Sequence, residues 1–406
     1  MKIYCILFDT VPQDERIEKL FERKNLHYSD YITNSSTVPT VVSMFSGLTP
    51  TGIAGPGGIG HSHTFNQLTS SQKLAWDKEQ VFYGLPDNWN IHIHAMPLTR
   101  GDLGLHECIE ERHYHPPGLG GQYLPDGFFL VPDDICGRNK QMKFYKYNPN
   151  VDEETFLKVM QDLPADENNF IFLKYNHYHD ASRGESVEYQ GRRVDLEHEQ
   201  VIDMFIDMID KINFEEENSL FWLFADHGHA DGVDTLMSPP NSWLAWVSVT
   251  DNITNKKVTK NKIAAVDFKN TVLNRIHNRG SLGQLRADRL SNDVLSSVDK
   301  DRIYVAEDGR SNVDEYNCTT VSAIQCLGES RFIQLVHHSP KGPKGIHISD
   351  QSVTRIYDKR CKEGETLEFS CSMDNIEIIE TDTYRHSSNL LNHLKSGPWR
   401  WYFTNE

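Results

Sequence analysis

The sequence predicts an α/β fold, with a mostly parallel central sheet flanked by helices and a small antiparallel β subdomain at the C-terminal end. Apolar runs that end in polar residues, such as NSLFWLFADHGH, alternate with helical patterns over roughly the first 300 residues. Such alternation is typical of a parallel sheet covered on both faces. Short strand-like stretches follow one another after that point. We therefore expect a larger domain over residues 1–295 and an antiparallel subdomain over residues 296–406.

The elements of the larger domain can be read in chain order. KIYCILFD is an apolar, β-rich run that ends in Asp9, and QDERIEKLFERKN then places apolar residues at helical spacing. WNIHIHAM alternates as a strand does, and NNFIFLKYNHYHD is apolar until its polar end. VDLEHEQVIDMFIDMIDKI carries the clearest helical stripe. Lys174, inside one apolar run, is interpreted as a structural residue of a strand.

The C-terminal elements are shorter. RIYVAED, RFIQLVHH, SVTRIYD and TLEFSC are predicted as strands separated by turns, and SSNLLNHLKSGPWRWYF as a closing helix and tail.

Composition narrows the function classes. A formal net charge of −17 disfavours nucleic acid as a partner, because phosphate backbones are bound by clustered Lys and Arg. No stretch approaches the roughly 18 apolar residues of a membrane span, and the N-terminus reads as a strand and not as a secretory signal. Seven scattered cysteines without a CxxC pair favour a reduced, cytoplasmic protein, the alternative being a Cys361–Cys371 bridge.

Polar side chains follow three of the predicted strands. In parallel sheets, ligands bind at the carboxyl ends of the strands, so these side chains should meet at one edge. The residues are Asp9 from the first strand, His177, His179 and Asp180 from the second, and Asp226, His227 and His229 from the third.

Asp9, Asp226 and His227 are suitable ligands for a divalent cation, and three ligands leave coordination positions open for a substrate. The imidazole favours Mn²⁺ or Zn²⁺ over Mg²⁺ or Ca²⁺. A hydroxyl at the start of the helix after STVP would add a nucleophile, because metal coordination lowers its pKa. The alternative is that Ser36 or Thr37 simply caps that helix.

These residues resemble motifs of the alkaline-phosphatase superfamily, on its sulfatase-like branch. TVPTVVSMFSGLTPTG resembles the nucleophile motif of this branch, and Thr37 occupies the position of the nucleophile. FADHGHADG resembles its Asp-His-Gly metal motif, and LFD its first-strand acid. AAVDFKNTVL and SVTRIYDKRCKEGE are similar to two later segments, in the expected order. The resemblance implies an alkaline-phosphatase-like sandwich whose larger domain is catalytic and whose C-terminal subdomain completes the site.

The departures from the branch refine the expected activity. Thr37 cannot form the formylglycine of true sulfatases, the motif's Arg is Val41, and Thr10 stands at the usual second acid. A Thr nucleophile is similar to that of phosphoethanolamine transferases, lipoteichoic acid synthases and phosphodiesterases. We therefore expect a phosphate mono- or diester to be cleaved through a phospho-threonine, by hydrolysis or transfer. The alternatives are a sulfate-ester hydrolase and a degenerate binding protein.

The resemblance also implies roles for the second group of side chains. Thr37 would bind the metal together with Asp9, Asp226 and His227. His177 or His179 would bind the anionic oxygens or protonate the leaving group. Asp180 would contact the metal ligands without binding the metal. His229 would do the same or bind a second metal ion, the alternative being a residue of a solvated loop. HDASRGES lacks the Gly-His that follows the Asp in two-metal phosphodiesterases, which favours one ion over two.

Overall fold

The computed structural model describes residues 1–34, 37–49, 81–86, 88–94, 127–130, 141–144, 157, 160–161, 163, 166–175, 178, 187–189, 192–194, 198–227, 243–256, 258, 262–277, 293–294, 302–311, 317–326, 331–339, 351–358, 367–370 and 381–397. Strands and helices alternate in the first part of the chain, and strands follow strands after residue 302. The described helices are α1 (Glu15–Arg23), α2 (Thr37–Ser46), α3 (Val81–Gly84), α4 (His198–Lys211), α5 (Asp267–His277) and α6 (Thr381–Ser396). The described strands are β1 (Lys2–Phe8), β2 (Ser29–Ile32), β3 (Trp89–His94), β4 (Gly127–Leu130), β5 (Gln141–Phe144), β6 (Asn168–Tyr175), β7 (Val187–Tyr189), β8 (Arg192–Val194), β9 (Ser219–Phe224), β10 (Leu244–Asp251), β11 (Ile263–Ala264), β12 (Ile303–Ser311), β13 (Asn317–Cys326), β14 (Arg331–Ser339), β15 (Gln351–Asp358) and β16 (Leu367–Ser370).

The central sheet has nine strands in the order β11-β2-β10-β9-β1-β6-β3-β5-β4. β9, β1, β6, β3 and β5 are mutually parallel, while β10 and β4 pair antiparallel with their neighbours. β2 is antiparallel to β10, so it runs in the same direction as β1. The predicted α/β fold with a mostly parallel sheet is confirmed, and the ends of β1, β2, β6 and β9 lie at one edge.

Burial explains why β1, β6 and β9 read as nearly continuous apolar runs. Every residue of β1 and β9 is buried, because helices and loops cover both faces of the sheet. Aromatic side chains fill the layer beneath the helices. Phe8 meets Phe205 of α4 edge to face at 4.7 Å between ring centroids, and Trp246 of β10 stacks on Phe8 at 5.8 Å. On the opposite face, Phe45 of α2 packs edge to face against Phe172 of β6 at 5.3 Å, so helices cover the central strands on both sides.

The second sheet has five antiparallel strands in the order β12-β13-β14-β15-β16, and α6 packs on β13 and β14. The predicted antiparallel C-terminal subdomain is present in this form. Its helix begins at Thr381, six residues before the predicted start at residue 387. The expected boundary at 295/296 lies outside the described residues and stays a prediction.

Strands β2, β10 and β13 are not among the elements that the sequence patterns predict. β13 reads NCTTVSAIQC, in which hydroxyl and amide residues interrupt the apolar pattern. Its Ser322 is nevertheless buried and accepts a 2.6 Å hydrogen bond from Gln334 of the neighbouring strand. Polar residues that hydrogen-bond to one another can be buried inside a sheet, so a search for apolar patterns does not detect such a strand.

Within the described part of the chain, none of the helices combines the length and the apolar character that crossing a bilayer would require. Cys5 is buried in β1 as a free thiol, and Cys326 of β13 is also free.

Candidate active site

The candidate site lies at the edge of the central sheet where β1, β6 and β9 end. Asp9 follows β1, and its N–H donates to the carbonyl of Tyr175, the last residue of β6, at 3.0 Å. Asp226 comes two residues after the end of β9, where the N–H of Ala225 donates to Trp246 of β10 at 3.1 Å. Backbone hydrogen bonds between neighbouring strands therefore fix the positions of both carboxylates.

Thr10 turns the chain immediately after Asp9. Its φ of 57° is left-handed, which is rare for a β-branched residue. In this conformation the N–H of Thr10 donates to Oδ1 of Asp226 at 3.1 Å. Backbone strain of this kind persists where the surrounding structure enforces it, often at functional sites. Here it orients the carboxylate of Asp226.

Asp9, Asp226 and His227 form one buried cluster, whose candidate ligand atoms all lie within 4.8 Å of one another. Nε2 of His227 is 4.0 Å from Oδ1 of Asp9 and 3.7 Å from Oδ2 of Asp226. These distances are too long for hydrogen bonds. Two atoms that bind one cation lie at most about 4.4 Å apart, given bond lengths of about 2.0–2.2 Å. Both distances from His227 are within this limit, so its imidazole and either carboxylate can share one cation.

The donor set of this cluster fits a divalent cation. Two carboxylates and one imidazole are ligands that Zn²⁺ and Mn²⁺ accept. Oδ2 of Asp226 is buried, and no donor among the described residues lies within hydrogen-bonding distance of it. A buried carboxylate oxygen in that position is stabilised by a cation.

The Asp226 carboxylate is electrostatically unusual. Its complete burial raises the pKa, and the charge of Asp9 raises it further. The charges of His227 and Lys174 and a hydrogen bond from the Thr37 side chain act in the opposite direction. The net effect is a raised pKa, caused first by burial and second by the like charge of Asp9.

Thr37 is the first residue of α2 and is half-buried. The segment before it is clamped, because the Thr40 hydroxyl accepts from the N–H of Asn34 and donates to its carbonyl, both at 3.1 Å. Asn34 also donates its side-chain amide to Ser43 at 3.1 Å. At the other end Gly47, with φ 69°, closes the helix by donating to the Ser43 carbonyl at 2.9 Å.

The Thr37 side chain lies near enough to Asp226 to lower the pKa of its carboxyl, which places the hydroxyl beside the carboxylate cluster. The hydroxyl stands where the first backbone N–H groups of the helix and the positive end of its dipole favour an anion. The structure thus gathers the oxygen of residue 37, two carboxylates and an imidazole, which come from three separate points of the sequence.

The remaining predicted site residues lie outside the described residues. These are His177, His179, Asp180 and His229. Tyr178, which stands between the two histidines in the sequence, is described and buried.

Lys174 is a part of the site that the sequence interpretation misses. Its Nζ lies 2.6 Å from Oδ2 of Asp9, and both side chains are buried, at 3% and 2% exposure. A signal was present, because a lysine inside the apolar run NNFIFLKY must find a buried acid. Choosing Asp9 as that acid required knowing that β6 lies next to β1, which the sequence patterns do not reveal.

Comparison with known proteins finds little at the level of sequence. No family model matches the chain, and no curated protein matches it. Among solved structures, a protein in the alkaline phosphatase superfamily from Vibrio parahaemolyticus is similar, with a TM-score of 0.46 and 12% identity. The match covers 100% of this chain and 88% of that one. Because both values are low, the case for a function depends on the geometry of the site itself.

Proposed function

We propose that the protein is a metal-dependent phosphoesterase that cleaves a phosphate mono- or diester through a covalent phospho-threonine at Thr37. The observation that carries this proposal is the buried cluster of Asp9, Asp226 and His227, with Thr37, at the start of a helix, near enough to Asp226 for its side chain to lower the pKa of that carboxyl. A hydroxyl, a cation site and helix N–H groups in one place are the components that phosphoryl transfer needs.

Asp9, Asp226 and His227 would hold the cation, with Mn²⁺ or Zn²⁺ preferred. When bound, such an ion supplies Lewis acidity, which makes a nearby hydroxyl more acidic and neutralises charge on phosphoryl oxygens. The fit depends on the donor set and on the short distances within the cluster.

Thr37 would act as the nucleophile. Asp226, whose pKa the Thr37 side chain affects, would accept the hydroxyl proton, so that a lone pair of the oxygen can face phosphorus. The bond from Thr37 oxygen to phosphorus forms as the ester bond to the leaving oxygen breaks. The N–H groups of the first turn of α2 stabilise the equatorial phosphoryl oxygens.

The leaving oxygen needs a proton, and His177 or His179 would supply it. Water or an acceptor alcohol then attacks the phospho-threonine and returns the free Thr37 hydroxyl. Water gives a hydrolase, and an alcohol gives a phosphotransferase. We further propose a small anionic ester as the substrate and the cytoplasm as the location.

The proposal is tested by assaying purified protein with Mn²⁺ or Zn²⁺ on an aryl phosphate, an aryl phosphodiester and an aryl sulfate. We expect turnover of a phosphate ester that stops on chelation of the ion. Thr37→Val keeps the shape of the side chain without its hydroxyl and should reduce turnover by about 10³-fold or more. Thr37→Ser is the matched control and should retain part of the activity.

Other outcomes would replace the proposal. Turnover of the sulfate alone would favour a sulfate-ester hydrolase that works without formylglycine. Failure to bind a divalent ion, together with no turnover of any ester, would favour a degenerate member that binds a ligand. Wild-type turnover by Thr37→Val would remove Thr37 from the chemistry.

A further inference from the structure

Lys174 is positioned as a fixed cation at the candidate site. It is the second-last residue of β6, paired in register with Leu7 of β1, and its side chain extends to the acid that follows β1. Its Nζ lies 2.6 Å from Oδ2 of Asp9 in surroundings that exclude water, since both side chains are buried. A buried ammonium is stable only when it is paired, so this contact is a permanent part of the site.

The contact with Lys174 occupies one of the two carboxylate oxygens of Asp9. Oδ2 faces the ammonium of Lys174, whereas Oδ1 faces Nε2 of His227 at 4.0 Å. Asp9 can therefore offer one oxygen to an ion at the cluster, while the other is held by the lysine. A second ion on the Oδ2 side would have to displace the ammonium.

Counting charges leads to the same limit. Asp9 and Asp226 carry two negative charges, and Lys174 neutralises one of them. One divalent ion brings the sum for these three side chains and the ion to +1, which suits an anionic substrate. A second ion would raise it to +3, and Asp9 and Asp226 are the acids of the one metal-binding group found among the described residues. Excess positive charge in a buried site is strongly unfavourable.

We propose that Lys174 takes the place of a second metal ion, so that the centre binds a single divalent cation through Asp9 Oδ1, Asp226 and His227. This inference rests on the proposed metal centre and adds the residue that sets its stoichiometry. Lys174 acts as a positioning residue, because it orients Asp9 and adjusts the charge of the site without replacing a ligand.

The test uses Mn²⁺ alone as the probe, titrated into metal-free full-length protein, with free Mn²⁺ counted by its electron paramagnetic resonance signal. Wild type should bind one ion per chain. Lys174→Met removes the charge at similar length, so Mn²⁺ should bind at least about tenfold more tightly or a second ion should appear. Lys174→Arg keeps the charge and should stay at one ion, within about threefold of the wild-type affinity.

Lys174→Gln is a second neutral variant that can still donate a hydrogen bond to Asp9, and it should show the same tightening if Lys174→Met does not fold. A wild-type protein that binds two ions, or neutral variants with wild-type affinity and stoichiometry, would overturn the inference about Lys174 alone. A wild-type protein that binds no Mn²⁺ or Zn²⁺ would overturn the proposed metal centre as well.

Discussion

Two of the places where the described part of the chain buries acidic side chains differ in how the charge is balanced. At the junction of the two sheets, Asp267 of α5 accepts two hydrogen bonds from Arg302, at 2.9 and 2.6 Å, and a third from the N–H of Ala264 at 2.9 Å. At the edge of the central sheet, Asp9 and Asp226 lie close together, and Lys174 pairs with Asp9.

The first arrangement matches one carboxylate with one guanidinium in a two-pronged hydrogen bond, a geometry that suits a permanent contact. Arg302 is further held against the ring of Tyr304, 4.6 Å from its centroid. In the second arrangement the complete burial of Asp226 raises its pKa, and the like charge of Asp9 raises it further. A buried acid with a matched partner supports the fold, whereas two buried acids and an imidazole at one point are suited to bind a cation.

The largest effect on stability is expected for Asp267→Asn. The substitution leaves the buried guanidinium of Arg302 without its countercharge, so the free energy of unfolding should fall by about 3–5 kcal/mol, as seen by denaturant titration. Mn²⁺ binding to the folded variant should stay at the wild-type level.

Asp14→Asn is a suitable control, because Asp14 is a partly exposed cap of α1 and Asn caps helices equally well. Adding Arg302→Met to Asp267→Asn should restore part of the loss. If Asp267→Asn lowers the free energy of unfolding by less than about 1 kcal/mol, then Asp267 is not a structural acid and does not differ from Asp226 in this respect.

Asp226→Asn should have the opposite effects to Asp267→Asn, because it should weaken metal binding and leave the metal-free protein stable. Losing a ligand should weaken Mn²⁺ binding by at least about 100-fold, since partners one step further from an ion already contribute about 10–100-fold. The metal-free variant should be as stable as wild type or more stable, because one of two buried like charges is gone. Calorimetry of the metal-free proteins checks this.

The pH dependence of that difference follows from the direction of the shift. The pKa of Asp226 is raised in the folded protein, so its penalty is absent below the usual carboxyl value of 3.8 and grows as pH rises above it. The advantage of Asp226→Asn should therefore be larger at neutral pH than at acid pH. A metal-free Asp226→Asn that is destabilised like Asp267→Asn would make Asp226 a structural residue.

A smaller effect is expected at Thr10. Its left-handed φ of 57° suits glycine, so Thr10→Gly should be more stable than Thr10→Ala by about 1 kcal/mol, although glycine normally destabilises relative to alanine. Thermal unfolding of the two variants measures this difference directly. The usual order, with alanine more stable, would remove the proposed backbone strain beside Asp226.

The smallest effect is expected in the antiparallel C-terminal subdomain, at a histidine of α6. Burial lowers the pKa of His393 in α6 from 6.5, so the folded protein favours the neutral ring. Stability should be lost as pH falls below about 6.5, and His393→Gln should make this loss shallower by a few tenths of a kcal/mol. Hydrogen exchange of α6 at pH 7.5 and 5.5 measures this loss of stability in wild type and in His393→Gln. An equal loss in the two proteins would contradict the prediction.

Much of the central sheet and the cation cluster could be predicted from the sequence. β1 and β9 are buried throughout, so each strand and the acid after it are visible in the apolar pattern. The rule that parallel strands end at one edge then brings Asp9 and Asp226 together.

What the sequence could not provide is the order of strands and the local backbone. The contact of Lys174 with Asp9 depends on β6 lying beside β1, and the orientation of Asp226 depends on a left-handed Thr10. Strand β10 accepts the hydrogen bond from Ala225, next to Asp226, but no motif follows β10 in the sequence that would link it to the site. Long-range neighbours and unusual φ angles are decided by packing, which no local pattern records.

A crystal structure of wild-type protein with Mn²⁺ and orthovanadate tests the central claim most directly. We expect an anomalous peak bounded by Asp9, Asp226 and His227, with vanadium bonded to Oγ1 of Thr37 at the start of α2. A metal held by other residues, or a vanadate whose centre is remote from Thr37, would contradict the account.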